Sequence, residues 1–537
     1  MNTRRLLRTC GTLLAAVAVL SSGCTAEGAD EVAEPDTTTS APPGRSDIAD
    51  PSAAPLRPLP TGIPDALRRY YDQELHWRDC GPEGFQCATL RAPLDYAHPD
   101  PADDLSLAVI RKRAEGPERE RIGSLLVNPG GPGGSAVDYV QHFAGLGFPE
   151  QVRARYDIVG LDPRGVARSE PVVCLTDREM DAYTQVDETP DSQREVDALV
   201  AADRRFALGC QRRHGELLGH VSTVEAARDM DVLRAVLGDD ELYYVGASYG
   251  TFLGATYAGL FPSRVGRLVL DGAVDPSLSA RRLNREQTAG FETAFTAFAR
   301  DCVQRSDCPL GSGSVADAGR RLKALFQRLD RRPIDTGQSR KLGEALATTG
   351  VISAMYREQD WPKLREALRQ AQHGDGAALL AMADIYYERD ENGAYSNIMY
   401  ANTAVNCLDL PAPFTSAEEV RRAVPDFEEA SPVFGRSFAW AALNCAAWQE
   451  LVTRPTGAPH VIRAEGAKPI LVIGTTRDPA TPYAWARGLA AQLSSGVLLT
   501  YDGDGHTAYV RGSACVDRTV DAYLLDGEAP RNGKVCS

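Results

Sequence analysis

The sequence predicts an α/β fold with a mostly parallel sheet and an inserted helical cap. Three observations indicate this class. Short apolar, β-branched runs alternate with helix-like stretches at both ends of the globular part, the stretch 276–464 is almost entirely helical in character, and a G-x-S-x-G pentapeptide stands between a strand and a helix. Strands alternating with helices pair in parallel, and such sheets gather their active site at the carboxyl ends of the strands.

Seven runs have the length and composition of buried strands, and amphipathic periodicity predicts the helices. The predicted strands are 105–110, 124–127, 157–161, 242–245, 267–270, 470–473 and 497–500. The predicted helices between strands include 223–237 and 482–493, and those of the cap are 286–300, 315–329, 342–355, 361–372, 377–388 and 417–423.

These elements divide the globular part into three segments. Residues 65–275 are predicted to form the first part of the α/β core, residues 276–464 the cap, and residues 465–537 the second part of the core. The alternative is that the helical stretch begins a separate downstream domain. An insertion is favoured because strand-like runs resume after it.

The amino terminus has the features of a secretory signal. Three arginines within the first eight residues precede an apolar run over 10–20, which is too short to span a bilayer. We therefore predict a signal peptide over 1–24. Cys24 follows a lipobox-like segment, although Ser21 stands where an aliphatic residue is usual, so both a lipid anchor and simple secretion are open. Residues 25–64, rich in Pro, Ser, Thr and acids, are predicted to be a disordered linker.

The cysteine content agrees with export. Beyond Cys10 and Cys24 the chain has ten cysteines, and an even number in an exported protein favours disulfides. No C-x-x-C or H-E-x-x-H motif indicates a zinc site. Sequence leaves the connectivity open, but pairing of neighbours would give 80–87, 174–210, 302–308, 407–445 and 515–536.

Charge limits the possible partners. The chain has 58 basic and 73 acidic residues, a formal net charge of −15. This balance argues against nucleic acid or an anionic membrane as the main partner. Membrane attachment is expected only through a lipid on Cys24, and the sequence gives no oligomeric state.

The pentapeptide 246–250 supplies a candidate nucleophile, Ser248. It follows the predicted strand 242–245 and precedes a helix-like run, which is the setting of a nucleophile elbow. Glycines on both sides of the serine are needed because side chains there would collide with the strand and the helix. This motif makes the predicted class an α/β-hydrolase fold.

A serine nucleophile needs a base and an acid that orients it. His506 lies in a glycine-rich loop after the last predicted strand, and Asp478 follows the strand 470–473. This gives the chain order Ser, Asp, His of α/β-hydrolases. The rival acid is Asp271, at the end of the strand 267–270; we favour Asp478 because of the order along the fold.

The oxyanion hole is expected from backbone N–H groups. One is that of Tyr249, directly after the nucleophile, and the second comes from the glycine-rich stretch 128–135, with Gly131 preferred over Gly130. A phosphate-binding role for this stretch is disfavoured because no G-K-[ST] follows it.

Six segments together resemble secreted actinobacterial tripeptidyl aminopeptidases, which are α/β-hydrolases related to prolyl aminopeptidases and have a carboxy-terminal region called TAP-like. The segments are NPGGPGGS (128–135), YDIVGLDPRGVARS (156–169), YYVGASYGT (243–251), RLVLDGAVDP (267–276), GTTRDPATP (474–482) and GDGHTAY (503–509). The resemblance implies a helical cap over the site and hydrolysis of amide bonds near a free amino terminus. Ser248, Asp478 and His506 fall on the family's triad positions.

Two residues depart from the prolyl-aminopeptidase pattern. Pro129 stands in place of a histidine and Tyr249 in place of a tryptophan, which shifts the expected specificity away from strict proline cleavage. The function we predict is that of an exported serine hydrolase that removes short peptides, tripeptides above all, through an acyl-enzyme and without metal or organic cofactor. An esterase or lipase with the same triad is the alternative, and a non-catalytic binding protein is a third possibility.

An aminopeptidase also needs an acidic group for the ammonium of its substrate, and the cap is the natural source. Asp409 is the preferred candidate. Any one acid of the cap could instead be an ordinary solvated surface residue. The other candidates are Asp384, Glu388, Asp390 and Glu391.

Overall fold

The computed structural model describes residues 53–537. Within that range the chain forms twelve strands. They are β1 (Ala54–Pro55), β2 (Arg78–Asp79), β3 (Phe85–Ala92), β4 (Leu105–Lys112), β5 (Gly123–Asn128), β6 (Tyr156–Leu161), β7 (Leu242–Ala247), β8 (Val265–Asp271), β9 (His460–Val461), β10 (Ile470–Arg477), β11 (Gly496–Asp504) and β12 (Lys534–Cys536).

Ten of these strands form one sheet in the order β12-β11-β10-β8-β7-β5-β6-β4-β3-β2. Neighbours from β12 to β6 run parallel, and antiparallel pairing is confined to β6/β4, β4/β3 and β3/β2. Every residue of the central strands β5 and β6 is buried, as expected of parallel strands covered on both faces. A sheet of this order with the G-x-S-x-G turn after β7 has the α/β-hydrolase fold, and the predicted class is confirmed.

Helices cover the sheet and build the cap. They are α1 (Arg68–Tyr71), α2 (Ala136–Tyr139), α3 (Gly145–Gly147), α4 (Glu150–Arg155), α5 (Asp177–Tyr183), α6 (Gln193–His214), α7 (Thr223–Val236), α8 (Tyr249–Leu260), α9 (Ala280–Val303), α10 (Val315–Arg331), α11 (Glu344–Met355), α12 (Trp361–Gln372), α13 (Ala377–Tyr386), α14 (Ile398–Asp409), α15 (Ala417–Ala430), α16 (Gly435–Ala441), α17 (Asn444–Leu451), α18 (Tyr483–Gln492) and α19 (Ala514–Asp526).

All seven predicted strands are present, but β3 was not predicted. Its sequence, FQCATLRA, has no continuous apolar run; its buried and exposed residues alternate near the edge of the sheet. Among the helices, α15 continues through Pro425 to Ala430, beyond the predicted end at 423. Val420, Ala423, Val424 and Phe427 of this helix are buried, so packing of its apolar face outweighs the hydrogen bond that proline removes.

The cap is larger than predicted. The segment 65–275 was assigned entirely to the core, yet α5 and α6, inserted between β6 and β7, belong structurally to the cap. Val196 and Leu199 of α6 share an apolar cluster with Phe414, Val424 and Trp440 of the later insertion. The sequence did not show this because two segments more than 200 residues apart meet only in the folded chain.

The predicted linker ends too late. Residues 25–64 were assigned to it, but β1 pairs in parallel with β9, and the Leu56 and Leu59 amides donate to Val461 O and Leu260 O, both at 2.9 Å. The apolar side chains of Leu56 and Leu59 pack against the core and hold this stretch in place. The predicted signal peptide 1–24, Cys24 and the linker up to residue 52 lie outside the described residues.

Five disulfides link the ten cysteines of the described chain in the neighbour pairing, Cys80–Cys87, Cys174–Cys210, Cys302–Cys308, Cys407–Cys445 and Cys515–Cys536. Among residues 53–537, no helix has the length and apolar character needed to cross a bilayer.

Candidate active site

Ser248 occupies a strained turn between β7 and α8. Its φ of 57° and ψ of −125° lie in a region that residues with a side chain rarely adopt. The turn is held by hydrogen bonds from Ser248 N to Asp271 O, at 2.9 Å, and from Thr251 N to Ser248 O, at 2.8 Å. The strain therefore persists because the neighbouring strand and helix fix the backbone, and the side chain lines a cavity beneath the cap.

The two glycines of the pentapeptide are required by close contacts. A Cβ atom at Gly246 would lie 2.3 Å from Gly250 O, and one at Gly250 would lie 2.8 Å from Asn128 O. Cβ atoms do not approach backbone oxygens so closely. The glycines thus let β5, β7 and α8 meet at the turn, as the motif predicted.

His506 and Asp478 form a direct pair. His506 Nδ1 lies 2.9 Å from each carboxylate oxygen of Asp478, and both side chains are almost fully buried. The His506 amide donates to Tyr356 O at 2.9 Å, and the Tyr356 ring meets the imidazole edge to face with centroids 5.4 Å apart. These contacts fix the ring so that Nδ1 points to the acid and Nε2 is left for other chemistry.

Asp478 is oriented by its own loop. Its Oδ1 accepts from the amides of Ala480 and Thr481 at 2.9 and 2.8 Å, and its Oδ2 accepts from Thr481 Oγ1 at 3.0 Å. Thr481 Oγ1 also lies 3.4 Å from His506 Nδ1. Thr481 was not predicted as part of the site; an Asp followed three residues later by Thr, the pattern of a local side-chain-to-backbone turn, was the available signal.

Asp271, the other candidate for the catalytic acid, binds backbone amides of the His506 loop. Its carboxylate accepts from the amides of Ala508, at 2.9 Å, and Tyr509, at 2.8 Å. Burial raises the pKa of Asp271, while these amide hydrogen bonds act in the opposite direction. Asp271 therefore supports the loop that carries His506, and it is Asp478 that the structure brings to the imidazole.

Ser248 follows β7 and His506 follows β11, and β8 and β10 lie between these two strands in the sheet. Gly272, directly after β8, lies close to the imidazole: a Cβ atom there would lie 3.2 Å from His506 Cε1. In the described chain no hydrogen bond joins Ser248 Oγ to His506. Such bonds are often long without substrate and tighten in the reacting complex.

The glycine-rich loop 128–135 lies against the nucleophile turn. A Cβ atom at Gly130 would lie 2.8 Å from Ser248 Cβ and 3.1 Å from Tyr249 N, so the glycine-rich loop touches the elbow. The Gly130 amide donates to Asn128 Oδ1 at 2.9 Å. Within residues 53–537 the amides of Gly131 and Tyr249 donate to no other protein atom. This leaves Gly131 and Tyr249, not Gly130, with N–H groups free to bind an oxyanion.

The cavity that contains Ser248 has a volume of about 430 Å³ and is lined by residues of the core and of the cap. Aromatic residues from both cap insertions line it, among them Tyr183, Phe206, Phe291, Tyr356 and Trp440. No Lys, Arg or His side chain of the described residues is part of the lining, whereas four acids are. The charged residues of the lining are thus all acidic, which suits a ligand that carries a positive charge.

Asp409 is one of these acids, at the end of α14. Its carboxylate accepts from Thr223 N at 2.8 Å and from Thr223 Oγ1 at 2.5 Å, and Thr223 Oγ1 is in turn 2.6 Å from Tyr249 OH. Burial raises the pKa of Asp409 to about 7, against the effect of the Thr223 bonds. A second acid, Asp275, is bound by Ser277 and Gln492 and has no accessible surface.

None of the other predicted candidates for the substrate amine lines the cavity. Asp384 forms a bidentate ion pair with Arg340, with both contacts at 2.7 Å. The remaining three are exposed, namely Glu388, Asp390 and Glu391.

The other two acids of the lining, Glu188 and Asp203, were missed by the sequence analysis. Glu188 precedes α6, and Asp203 lies on the buried face of α6 with Val196, Leu199 and Phe206. An aspartate on the apolar stripe of an amphipathic helix was the signal that could have found it.

A strained serine turn, an Asp–His pair and two free amides at the carboxyl edge of this sheet define a serine hydrolase of the α/β-hydrolase fold. Residues 431–536 match the family described as TAP-like protein. The chain is 38% identical over 491 residues to serine protease Hip1 of Mycobacterium tuberculosis, covering 86% of this chain and 91% of the relative. The protein belongs to this TAP-like family of hydrolases.

Two further relatives carry different names. Carboxylesterase B of Mycobacterium tuberculosis is 41% identical over 461 residues, which cover 84% of this chain and 86% of the relative. Tripeptidyl aminopeptidase of Streptomyces coelicolor is 32% identical over 486 residues, which cover 86% of each chain. The family relationship therefore includes proteins named for peptide and for ester hydrolysis.

Proposed function

We propose that this protein is a serine aminopeptidase that releases short peptides, tripeptides above all, from free amino termini. The observation that carries the proposal is the lining of the cavity around Ser248, which includes four carboxylates and, among the described residues, no basic side chain. A peptide amino terminus is a cation, so its burial there is favourable, whereas a carboxyl terminus would be repelled.

The proposed chemistry uses the chain's own residues. Asp478 accepts the Nδ1–H of His506, which leaves Nε2 to take the proton from Ser248 as its oxygen attacks the scissile carbonyl. The Gly131 and Tyr249 amides bind the oxyanion, and His506 then protonates the leaving amine. Water, activated by His506, hydrolyses the acyl-enzyme, and the mechanism requires no metal or organic cofactor.

An ester hydrolase remains the second candidate, because a relative at 41% identity is named carboxylesterase B. The same nucleophile, base and oxyanion hole cleave esters. The two activities differ in what the acidic cavity contributes, since a neutral ester gains nothing from buried carboxylates.

We also propose that the protein acts outside the cytoplasm on peptide substrates. The signal-like amino terminus and five disulfides support an oxidising compartment. Cys24 is either lipidated, which would hold the enzyme at the membrane, or absent from the mature secreted chain. Mass spectrometry of the mature amino terminus distinguishes these two forms.

A fluorogenic panel tests the activity. Mono-, di-, tri- and tetrapeptide amides of aminomethylcoumarin, each with a free or an acetylated amino terminus, are compared with p-nitrophenyl butyrate, with Ser248→Ala as the inactive control. We expect the free tripeptide to be cleaved at least tenfold faster than its acetylated form. Equal rates on free and acetylated peptides, or turnover of the ester alone, would contradict the proposal.

A further inference from the structure

Among the described residues, Glu188 and Asp203 line the cavity without a cationic partner, and each has a carboxylate oxygen without a hydrogen bond. Glu188 accepts a hydrogen bond from Ser437 Oγ at 3.4 Å, and Asp203 Oδ1 accepts one from Tyr183 OH at 3.1 Å. In the described chain Glu188 Oε1 and Asp203 Oδ2 accept none, although Asp203 is only 5% exposed. Asp275 Oδ2 also accepts none in this part of the chain, but Asp275 has no accessible surface and cannot meet a ligand.

Two other buried acids of the protein have arginine partners. Asp229 is bound by Arg164 with two contacts of 2.7 Å, and Asp231 lies between Arg234 and Arg264. No Lys, Arg or His of residues 53–537 lies within ion-pair distance of Glu188 or Asp203. Buried carboxylates are costly when unpaired, so the pair is suited to a cation that comes from outside the chain.

The charge of Asp203 also acts on Glu188. Burial raises the pKa of Glu188 to about 7, with the charge of Asp203 as the next cause, and burial raises the pKa of Asp203 to about 7. A nearby positive charge would favour the ionised form of each carboxylate. A primary ammonium has three N–H donors, enough for more than one carboxylate.

We infer that Glu188 and Asp203 form the subsite that binds the α-ammonium group of the peptide substrate. The inference rests on the proposed aminopeptidase function and replaces the sequence-based candidate, Asp409, in that role. Both oxygens of Asp409 already accept hydrogen bonds from Thr223, which ties this acid to Tyr249 behind the nucleophile.

Contacts between aromatic rings connect the surroundings of this subsite with the catalytic histidine. The imidazole of His506 and the Tyr356 ring are 5.4 Å apart, and the Tyr356 and Tyr386 rings are 6.2 Å apart. The charge of Glu188 acts on Tyr386 beyond them. A second path runs from Tyr356 through Phe291 to Phe438, at 5.9 and 5.2 Å, and ends beside Ser437, which binds Glu188.

The proposed subsite and the nucleophile share one cavity, because Glu188, Asp203 and Ser248 all line it. A peptide whose ammonium is bound by the two acids therefore lies in the same space as the nucleophile.

The test uses Glu188→Gln, Asp203→Asn, the double variant and Asp409→Asn. The matched control is Asp187→Asn, which removes a neighbouring negative charge that does not line the cavity. KM and kcat are measured on the free and acetylated peptide amides of one to four residues and on p-nitrophenyl butyrate. The rate of Ser248 labelling by a fluorophosphonate reports whether each variant is folded with an intact nucleophile.

We expect each single variant to raise KM for the free tripeptide amide at least tenfold, with kcat changed less than threefold. The double variant should lose the preference for a free amino terminus. Ester turnover and labelling rate should stay within twofold of the wild type, as should all parameters of Asp187→Asn. A merely structural role would instead lower labelling and ester turnover together with peptide turnover.

Two outcomes would overturn the inference, and they are distinguishable. If the wild type prefers free amino termini and only Asp409→Asn abolishes that preference, the amine lies at Asp409 and the aminopeptidase function stands. If the wild type shows no preference for a free amino terminus, the proposed function fails, and the subsite fails with it.

Discussion

Two buried carboxylates, Asp271 and Asp478, end neighbouring strands and contact the same loop in different ways. Asp478 meets the His506 imidazole itself, at 2.9 Å, while Asp271 binds only the amides of Ala508 and Tyr509. The first contact orients the His506 imidazole and stabilises its protonated form. The second contact holds the backbone of the loop that carries His506. Their substitution should therefore have different kinetic and thermodynamic consequences.

Asp478→Asn is expected to lower kcat for peptide and ester by about 10³–10⁴, because an amide can stabilise the wrong imidazole tautomer and cannot stabilise an imidazolium. Asp271→Asn should mainly lower Tm, because its NH2 group would face two backbone N–H donors. Steady-state kinetics and thermal unfolding of both variants test this. A larger kcat loss for Asp271→Asn with unchanged Tm would reverse the assignment.

Thr481 contacts both the catalytic acid, Asp478, and the catalytic base, His506. Thr481→Val keeps the volume but removes the Oγ1 contacts to Asp478 Oδ2 and His506 Nδ1. We expect Thr481→Val to lower kcat about tenfold with KM nearly unchanged. Thr481→Ser, which keeps the hydroxyl, should retain most of the wild-type kcat. An altered KM with unaltered kcat would show that Thr481 contacts substrate instead.

The raised pKa of Glu188 makes the stability of the folded protein depend on pH. Its pKa in the folded state is about 7, above the ordinary value of 4.5, so between these values the folded protein binds more protons than the unfolded chain. The stability contribution of Glu188 is therefore complete below about pH 4.5 and is lost as pH rises through about 7. The charges that act on it are those of Asp203, Asp187 and Glu344, and Ser437 donates to it.

Glu188→Gln should remove the loss of stability that accompanies ionisation of Glu188 as pH rises. We expect the variant to be as stable as the wild type near pH 4.5 and to melt roughly 2–4 °C higher at pH 8, measured by calorimetry over that range. Asp187→Asn is the control, and we expect it to change Tm at pH 8 by less than Glu188→Gln does. A variant that melts lower than the wild type at pH 8 would show that Glu188 already has a compensating partner.

At the scale of elements, α6 is decisive because it carries Asp203 into the cavity from an insertion separate from the main cap. Its outer face packs against α15, α16 and α17, and the Cys174–Cys210 disulfide ties its last turns to the segment after β6. The position of the acid therefore depends on helix packing and on this bridge.

Replacing both Cys174 and Cys210 by alanine should lower the free energy of unfolding by about 3–4 kcal/mol, the range for a closed loop of 36 residues. KM for the free tripeptide should rise more than KM for p-nitrophenyl butyrate, because the proposed role of Asp203 on α6 concerns only the peptide amino terminus. Thermal unfolding and the two KM values test this. Equal changes in both KM values would show that the bridge acts on the whole site and not on α6.

At the scale of the whole molecule, the segment 53–64 joins parts of the chain that are far apart in sequence. Its strand β1 pairs with β9, at the point where the cap returns to the core, and Leu56 contacts Ile462 and the site of Gly259. A chain that begins at residue 65 should melt several degrees lower than one that begins at residue 53. An identical Tm would show that the segment adds no stability; a chain beginning at residue 48 is the control.

The sequence by itself determined the fold class, the family resemblance, the elbow at Ser248 and the order of Ser, Asp and His. These follow from local patterns, because buried strands, glycine turns and amphipathic helices are recorded in consecutive residues. The boundaries of the cap at 276 and 464 stay a prediction, and the sequence analysis missed the ordered stretch 53–64 and the contribution of α5 and α6 to the cap.

Only the tertiary structure decided which aspartate meets His506 and which acids enter the cavity. Asp271 and Asp478 both end strands, and strand register together with the path of the 503–509 loop brings one to the imidazole and the other to backbone amides. Glu188 and Asp203 reach the cavity through packing between helices of two distant insertions. Such convergence depends on contacts across the whole chain, which no local pattern encodes.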